Sequence, residues 1–304
     1  MDAVRYDVIV IGGSYSGIAA ALQLARARRA VLVLDAGERR NRFSAHSHGF
    51  LGQDGRPPAE IAAKGRAEVL SYPTVRWKEA TATGVGRAAD GFRVRAGASE
   101  HLGRRLILAT GVTDELPPIP GLDTLWGRKA FFCPYCDGYE FHLGRLGVLA
   151  TNPESAHYAL LVSEWAGAGL TTFFLNGFPT PAPAEAGRLR ARAIGLEAEA
   201  IRRVADSGEA VEVHLESGRR LAVDGLFLPP RPRPNLGFAA ALGLEMEPLP
   251  SGPIVRTDAT KETSVKGVFA CGDIATPLPS VAYAVADGVR AGASAHQSLV
   301  FNAD

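Results

Sequence analysis

The chain has little cysteine: three in 304 residues, an odd number, too few for a secreted disulfide scaffold. It also lacks a long apolar run near its start. Val8 to Ile11 is far shorter than a signal-sequence core or a membrane span, so a cytoplasmic, membrane-free protein is expected. A charge excess is missing as well. A net charge near +1 gives no footing for nucleic acid or an acidic membrane surface, and the scattered arginines read as solvated surface. What remains is ordinary globular composition, 46% hydrophobic and 21% charged, in a length that suits about two domains.

Two of the three cysteines fall in Phe131-Phe132-Cys133-Pro134-Tyr135-Cys136-Asp137-Gly138. The spacing lets the two sulfurs close a disulfide. In a reducing compartment such a pair is more often catalytic than structural. Pairing of this kind depresses the pKa of one thiol and makes a thiolate available for exchange. Asp137, immediately after, is placed to move protons as a sulfur departs. A zinc half-site is the first plain alternative, but zinc needs four ligands and no second pair exists, so no metal is expected. An inert pair of buried thiols is the second. Cys271, at the end of an apolar run, reads as core.

Near the N-terminus, the buried-strand run Tyr6 to Ile11 leads directly into Gly12-Gly13-Ser14-Tyr15-Ser16-Gly17. Helical composition follows over Ile18 to Ala27, then a second strand, Ala30 to Asp35, that ends in an acid. This is a βαβ unit carrying a dinucleotide fingerprint in its proper context. Gly12 makes the tight turn and Gly17 lets helix and strand approach. The helix N-terminus faces a pyrophosphate, and Asp35 stands where a carboxylate holds ribose hydroxyls. Ser14 replaces the usual middle glycine.

Beyond it lie Arg39-Arg40-Asn41 and a polar loop, His46-Ser47-His48-Gly49-Phe50-Leu51-Gly52-Gln53-Asp54-Gly55, whose histidines read as satisfied by backbone. A helix is expected from Pro57-Pro58 through Leu70, and a β-meander from Val75 to Leu108 that delivers Ala109-Thr110-Gly111 to a close-approach turn. Proline-rich hinges are expected at 115–121 and 229–234. Between them the plan repeats: strand Arg145 to Ala150, helix Pro153 to Ala166, strand Thr171 to Leu175, and a meander over 201–228. In this second copy Ala150, Asn152 and Ser155 stand where Gly12, Ser14 and Gly17 stand in the first. Glu154 adds a negative charge in the first helical turn. The second nucleotide motif therefore reads as eroded. The expected architecture is α/β, with two Rossmann-like nucleotide-binding domains of three-layer ββα type, each with a β-meander. Gly267 to Asp273 forms one more strand ending in Gly272-Asp273, and a last helix runs from about Ser280 to Phe301.

In this order, the glycine fingerprint, Ala109-Thr110-Gly111, the Cys133 to Gly138 segment and Gly272-Asp273 resemble the low-molecular-weight thioredoxin reductases, over nearly the whole chain. The resemblance implies a discontinuous FAD domain, 1–113 with 234–304, and a middle domain, 114–233, that carries the cysteines. It implies FAD held by Gly12, Gly13, Ser14, Gly17, Asp35, Asn41, Thr110, Gly111, Gly272, Asp273 and Val281, with Asp273 on the ribityl chain. It further implies Cys133 and Cys136 exchanging electrons with the flavin, Asp137 as acid and base, and a homodimer. NADPH, the usual partner of the middle domain, is put in doubt by Ala150, Asn152 and Glu154. The Cys-Pro-Tyr-Cys form with the His46 to Gly55 loop is closest to the branch containing the dithiol oxidases of gliotoxin- and holomycin-type biosynthesis. Pyridine-nucleotide-independent, ferredoxin-fed reductases are a further relative.

Three functions are then open. One is reduction of thioredoxin or a small disulfide by electrons from a donor, nicotinamide or a protein. The second is oxidation of a dithiol with dioxygen as acceptor. The third is a flavoprotein whose chemistry has lapsed.

Overall fold

The computed structural model describes residues 5–301, which divide into two compact units. The first gathers the stretch ending at Arg42, Pro57–Thr113 and the stretch from Pro232 onward. The second combines Phe43–Arg56 with Asp114–Arg231.

In the first unit, β1 (Arg5–Ile11), α1 (Tyr15–Arg26), β2 (Val31–Asp35), α2 (Pro58–Leu70) and β3 (Val75–Glu79) alternate, and β4 (Ala82–Ala88), β5 (Gly91–Ala96) and β6 (Ser99–Leu108) follow. The sheet order is β3-β2-β1-β6-β5-β4. Strands β1, β2 and β3 run parallel, as do β1 and β6, whereas β4, β5 and β6 pair antiparallel. Val8–Ile11, Val31–Leu34 and Leu106–Leu108 are all fully or nearly buried, because a parallel sheet is covered on both faces. The expected meander is therefore shorter than read. Val75–Glu79 is a parallel edge strand whose one solvated face gives it an alternating pattern.

β7 (Val112–Glu115) spans the boundary at Thr113, and the second unit continues with α3 (Leu122–Leu125), β8 (Ala130–Phe131) and α4 (Pro134–Asp137). Next come β9 (Leu146–Leu149), α5 (Ser155–Val162), β10 (Thr171–Phe174), α6 (Pro183–Ala191) and β11 (Gly195–Glu197). The meander β12 (Ile201–Asp206), β13 (Val211–Leu215) and β14 (Arg220–Val223) precedes β15 (Gly225–Phe227). Its parallel sheet has the order β11-β10-β9-β15-β8, and the meander forms a separate antiparallel sheet. The two copies of one plan are present. Helix α5 is shorter at both ends than the expected span 153–166. Asn152 turns the chain before it, and the Ser163 hydroxyl donates to the Leu160 carbonyl (2.8 Å) where it stops.

The chain returns through β16 (Arg231–Pro234), which pairs with β7. The proline-rich connections are thus partly a two-stranded ribbon, supported by Asn235, whose side-chain amide donates to the Thr110 carbonyl (3.3 Å). Short strands β17 (Met246–Glu247) and β18 (Ile254–Val255) lead to β19 (Val268–Ala270), parallel to β6, and to α7 (Val281–Phe301). Helix α7 lies so close on α1 that a Cβ at Gly288 would stand 2.1 Å from the Ser16 carbonyl oxygen, and one at Gly292 2.5 Å from that of Ala20. Cys271 is fully buried, as read. Among the described residues no helix is long and apolar enough to cross a membrane.

Candidate functional site

The β1 to α1 turn is shaped by two close approaches. At Gly12 (φ +104°) a Cβ would meet the Ala109 carbonyl oxygen at 2.1 Å, and at Gly17 it would meet the Gly12 carbonyl oxygen at 1.9 Å. Only glycine allows that backbone and that contact. The turn leaves α1 starting at Tyr15 with Ser14 before it, no side-chain cap and no acid in its first turn. Its positive end stays available to an anion.

Asp35, at the end of β2, accepts hydrogen bonds from the backbone amides of Gly13 (3.1 Å) and Gly37 (3.2 Å). Beside it opens a cavity of about 420 Å³ whose lining includes Gly13, Asp35, Gly37, Arg39, Trp77 and Thr81. Trp77 Nε1, Arg39 Nε and Thr110 Oγ1 are buried with no hydrogen-bond partner among the described residues. Buried donors without partners are rare in a finished fold and mark a place for one. Trp77 escaped the sequence reading because β3 was taken for meander, and Arg39 was noted there only as part of Arg39-Arg40-Asn41, without a role. An aromatic residue two strands from the fingerprint was the only available signal.

The other residues expected around a cofactor are placed as follows. The Asn41 amide donates to the Tyr15 hydroxyl (3.1 Å). Gly111 is left-handed (φ +61°) with open space where a side chain would be. Gly272 (φ +74°) crowds Ser16. Asp273 pairs with Arg40 (2.9 Å), so its carboxylate is held by a cation that sequence alone did not link to it. Val281 begins α7, whose first turn is capped by the Ser280 hydroxyl accepting from the Tyr283 amide (3.0 Å).

In the second unit, Cys133 and Cys136 lie in disulfide contact with Cα atoms 5.2 Å apart. Cys133 precedes α4, and its carbonyl accepts from the amides of Cys136 and Asp137, both at 3.1 Å. Pro134 at the first helical position suits this turn, because its missing N–H is not needed there. Asp137 is largely buried. Burial and the neighbouring Glu140 carboxylate push its pKa up to about 7, against a partial pull downward from His48. A carboxyl so placed can carry a proton near neutral pH.

Helix α5 supplies the other wall. The Tyr158 hydroxyl donates to the carbonyl of Phe132, next to Cys133, and Trp165, just past α5, meets Tyr135 edge to face at 5.2 Å. A Cβ on Gly138 would come within 2.9 Å of the Trp165 ring. His48 is not satisfied by backbone, as had been expected. Its Nδ1 lies 3.4 Å from Asp54 and its Nε2 3.4 Å from Glu140.

Residues 6–152 and 182–288 match the pyridine nucleotide-disulphide oxidoreductase family. The chain belongs to that family. It is 33% identical to thioredoxin reductase tcpT of Claviceps purpurea, over 97% of this chain and 94% of that one. It is 32% identical to thioredoxin reductase sirT of Leptosphaeria maculans, over 94% and 92%. Among solved structures, an oxidoreductase from Agrobacterium tumefaciens shares 47% identity, covers 98% of this chain and 99% of its own, and superposes with a TM-score of 0.93.

The protein is thus a thioredoxin-reductase-like flavoprotein disulfide oxidoreductase, and this family's FAD fits the first unit. The uncapped start of α1, the Asp35 carboxylate and the cavity with its unpartnered donors are the kinds of group a dinucleotide would use. The corresponding turn of the second unit is built differently. There the Ser155 hydroxyl accepts from the amides of Thr151 (3.0 Å) and Asn152 (3.2 Å), and Asn152 Oδ1 accepts from the Glu154 amide (2.9 Å). Asn176, after β10, is also in use, its Oδ1 accepting from the Ile201 amide (2.9 Å).

Proposed function

We propose that this flavoenzyme passes two electrons between FAD and a protein or small-molecule disulfide through Cys133 and Cys136, and that ordinary NADPH is not its donor. The closed second turn carries the latter part. Amides that would face a pyrophosphate are bonded to Ser155 and Asn152 instead, and Glu154 adds charge of the wrong sign. The family match is also interrupted over 153–181, the stretch that holds α5 and β10. A thioredoxin-like partner suits the named relatives, and a protein such as ferredoxin would then supply the electrons.

FAD, when bound, supplies the two-electron store. The chain's own residues do the sulfur chemistry. The thiolate of one cysteine attacks a sulfur of the substrate disulfide, whose S–S bond breaks, and the leaving sulfur takes a proton from Asp137. The second cysteine then attacks the mixed disulfide. The substrate's second sulfur departs, the protein is left as the Cys133–Cys136 disulfide, and two electrons have moved to the substrate. In the opposite direction the same pair would oxidise a dithiol, and bound FAD would supply the electron store that dioxygen empties. The closed second turn favours this second reading too, since it needs no nicotinamide.

Anaerobic mixing of the yellow protein with NADPH and then NADH tests the proposal. The flavin absorbance is expected to persist, and to bleach with dithionite or a dithiol. Rapid bleaching by either nicotinamide would overturn the donor assignment. Hydrogen peroxide released with dithiols in air would select the oxidase direction.

A further inference from the structure

The loop Phe43–Arg56 interrupts the first unit and packs with the second. It adds little to a core, for only Ser47 within it is buried. Yet it is tightly made. Ser47 and Arg56 pair, the Gly55 amide donates to the Ser47 carbonyl (2.9 Å), and the Gly49 amide donates to Asp54 Oδ1 (2.8 Å). At its base, a Cβ on Gly127 (φ +73°) would fall 2.6 Å from Cβ of Phe43, so the two segments touch only because residue 127 is glycine. What this construction holds in place is His48.

We propose that His48 is a positioning residue for the dithiol: it anchors Glu140 and offsets that carboxylate's charge beside Asp137. The inference rests on Asp137 being the proton carrier of the cysteine pair. Glu140 follows Asp137 by three residues, so two carboxylates crowd one end of α4 and its continuation. Each nitrogen of the His48 ring faces a carboxylate oxygen at 3.4 Å, that of Asp54 or that of Glu140. The remaining titratable group against Asp137 is Tyr158 of α5, and Trp165 covers the adjoining Gly138. Tyr158 is neutral and fixed to the Phe132 carbonyl. The groups left to adjust Asp137 are therefore Glu140 and His48, which act on it in opposite directions.

The Asp137 carboxyl is followed by infrared difference spectroscopy across pH in the oxidised holoenzyme, Asp137→Asn identifying its band. His48→Gln is expected to raise the midpoint and Glu140→Gln to lower it, each by about half a unit or more. His48→Lys, which places a cation beside Glu140, is expected to bring it back toward the wild-type value. Shifts of the same sign in both variants, or none in either while circular dichroism is unchanged, would overturn the proposal. If His48→Gln does not fold, Glu140→Gln decides alone: a midpoint that fails to fall removes it. The titration uses neither donor nor sulfur substrate, so a protein with no turnover at all would sink the function proposed above and leave this result standing. Turnover unaffected in Asp137→Asn would show instead that the charge is tuned for no catalytic end.

Discussion

Two strand–turn–helix units in this chain share a plan and differ in what their turns leave unbonded. After β1, Gly12 and Gly13 bring no side chain into the turn, Ser14 caps nothing, and the start of α1 is uncapped. After β9, Ser155 and Asn152 satisfy the amides themselves. A nucleotide-binding turn is thus recognised less by its fold than by hydrogen bonds that it does not make. The second helix has taken another duty, since Tyr158 and Trp165 brace the dithiol segment. On the function proposed above, one plan serves cofactor retention in the first unit and sulfur chemistry in the second.

The comparison can be broken most completely at Gly17. A Cβ there would lie 1.9 Å from the Gly12 carbonyl oxygen, so Gly17→Val is expected to yield colourless protein, whereas Ser155→Gly in the second turn keeps its full flavin absorbance. Asp137→Asn tests the second unit's duty. The rate of thiol release is expected to fall about 10²-fold, as for loss of a general acid, and the inflection expected near pH 7 for wild type to be absent from the variant's pH–rate profile. The same change has a stability signature. A carboxyl raised from 3.8 to about 7 penalises the folded state progressively as pH climbs from about 4 to 7, with no further change above. Asp137→Asn therefore gains on wild type in denaturant unfolding across that window and no further beyond it. Asp35→Ala removes an acceptor of two amides beside the cavity. FAD binding, measured by fluorescence titration, is expected to weaken about 10- to 100-fold, on the basis of ~1.5–3 kcal/mol for a hydrogen bond to a charged group. The smallest effect is that of Ser155→Ala, which frees the Thr151 and Asn152 amides. It should lower stability by about 1–2 kcal/mol in denaturant unfolding and still give no response to NADPH.

Much of this was legible because it is local. The apolar run into β1, the glycines after it and the acid ending β2 lie within one short stretch, and each has a single steric or electrostatic reason. The cysteine pair and Asp137 are likewise contiguous. What stayed hidden depends on residues brought together from far apart. Trp77 belongs to an edge strand whose alternating exposure imitates a meander, and Arg40 meets Asp273 across 233 positions. His48 reaches Glu140 through a loop whose apolar residues, Phe43, Ala45, Phe50 and Leu51, follow no helical or strand period, so no periodicity announces where it lies. The aromatic residues Tyr158 and Trp165, two helical turns apart around the end of α5, hinted at what this helix faces, beyond the eroded motif at Ala150, Asn152 and Glu154.

The contact of α7 with α1 has a consequence for synthesis. Ser16 and Gly288 touch across 272 positions (288 − 16), so the helix that would receive the pyrophosphate is not packed until nearly all of the chain has been made. At about 5–20 residues per second, a ribosome takes upward of ten seconds to cover that distance. Asp114–Arg231, which includes both sheets of the second unit, emerges well before α7. The cysteine-bearing unit can therefore close early, while the flavin must wait for the last helix.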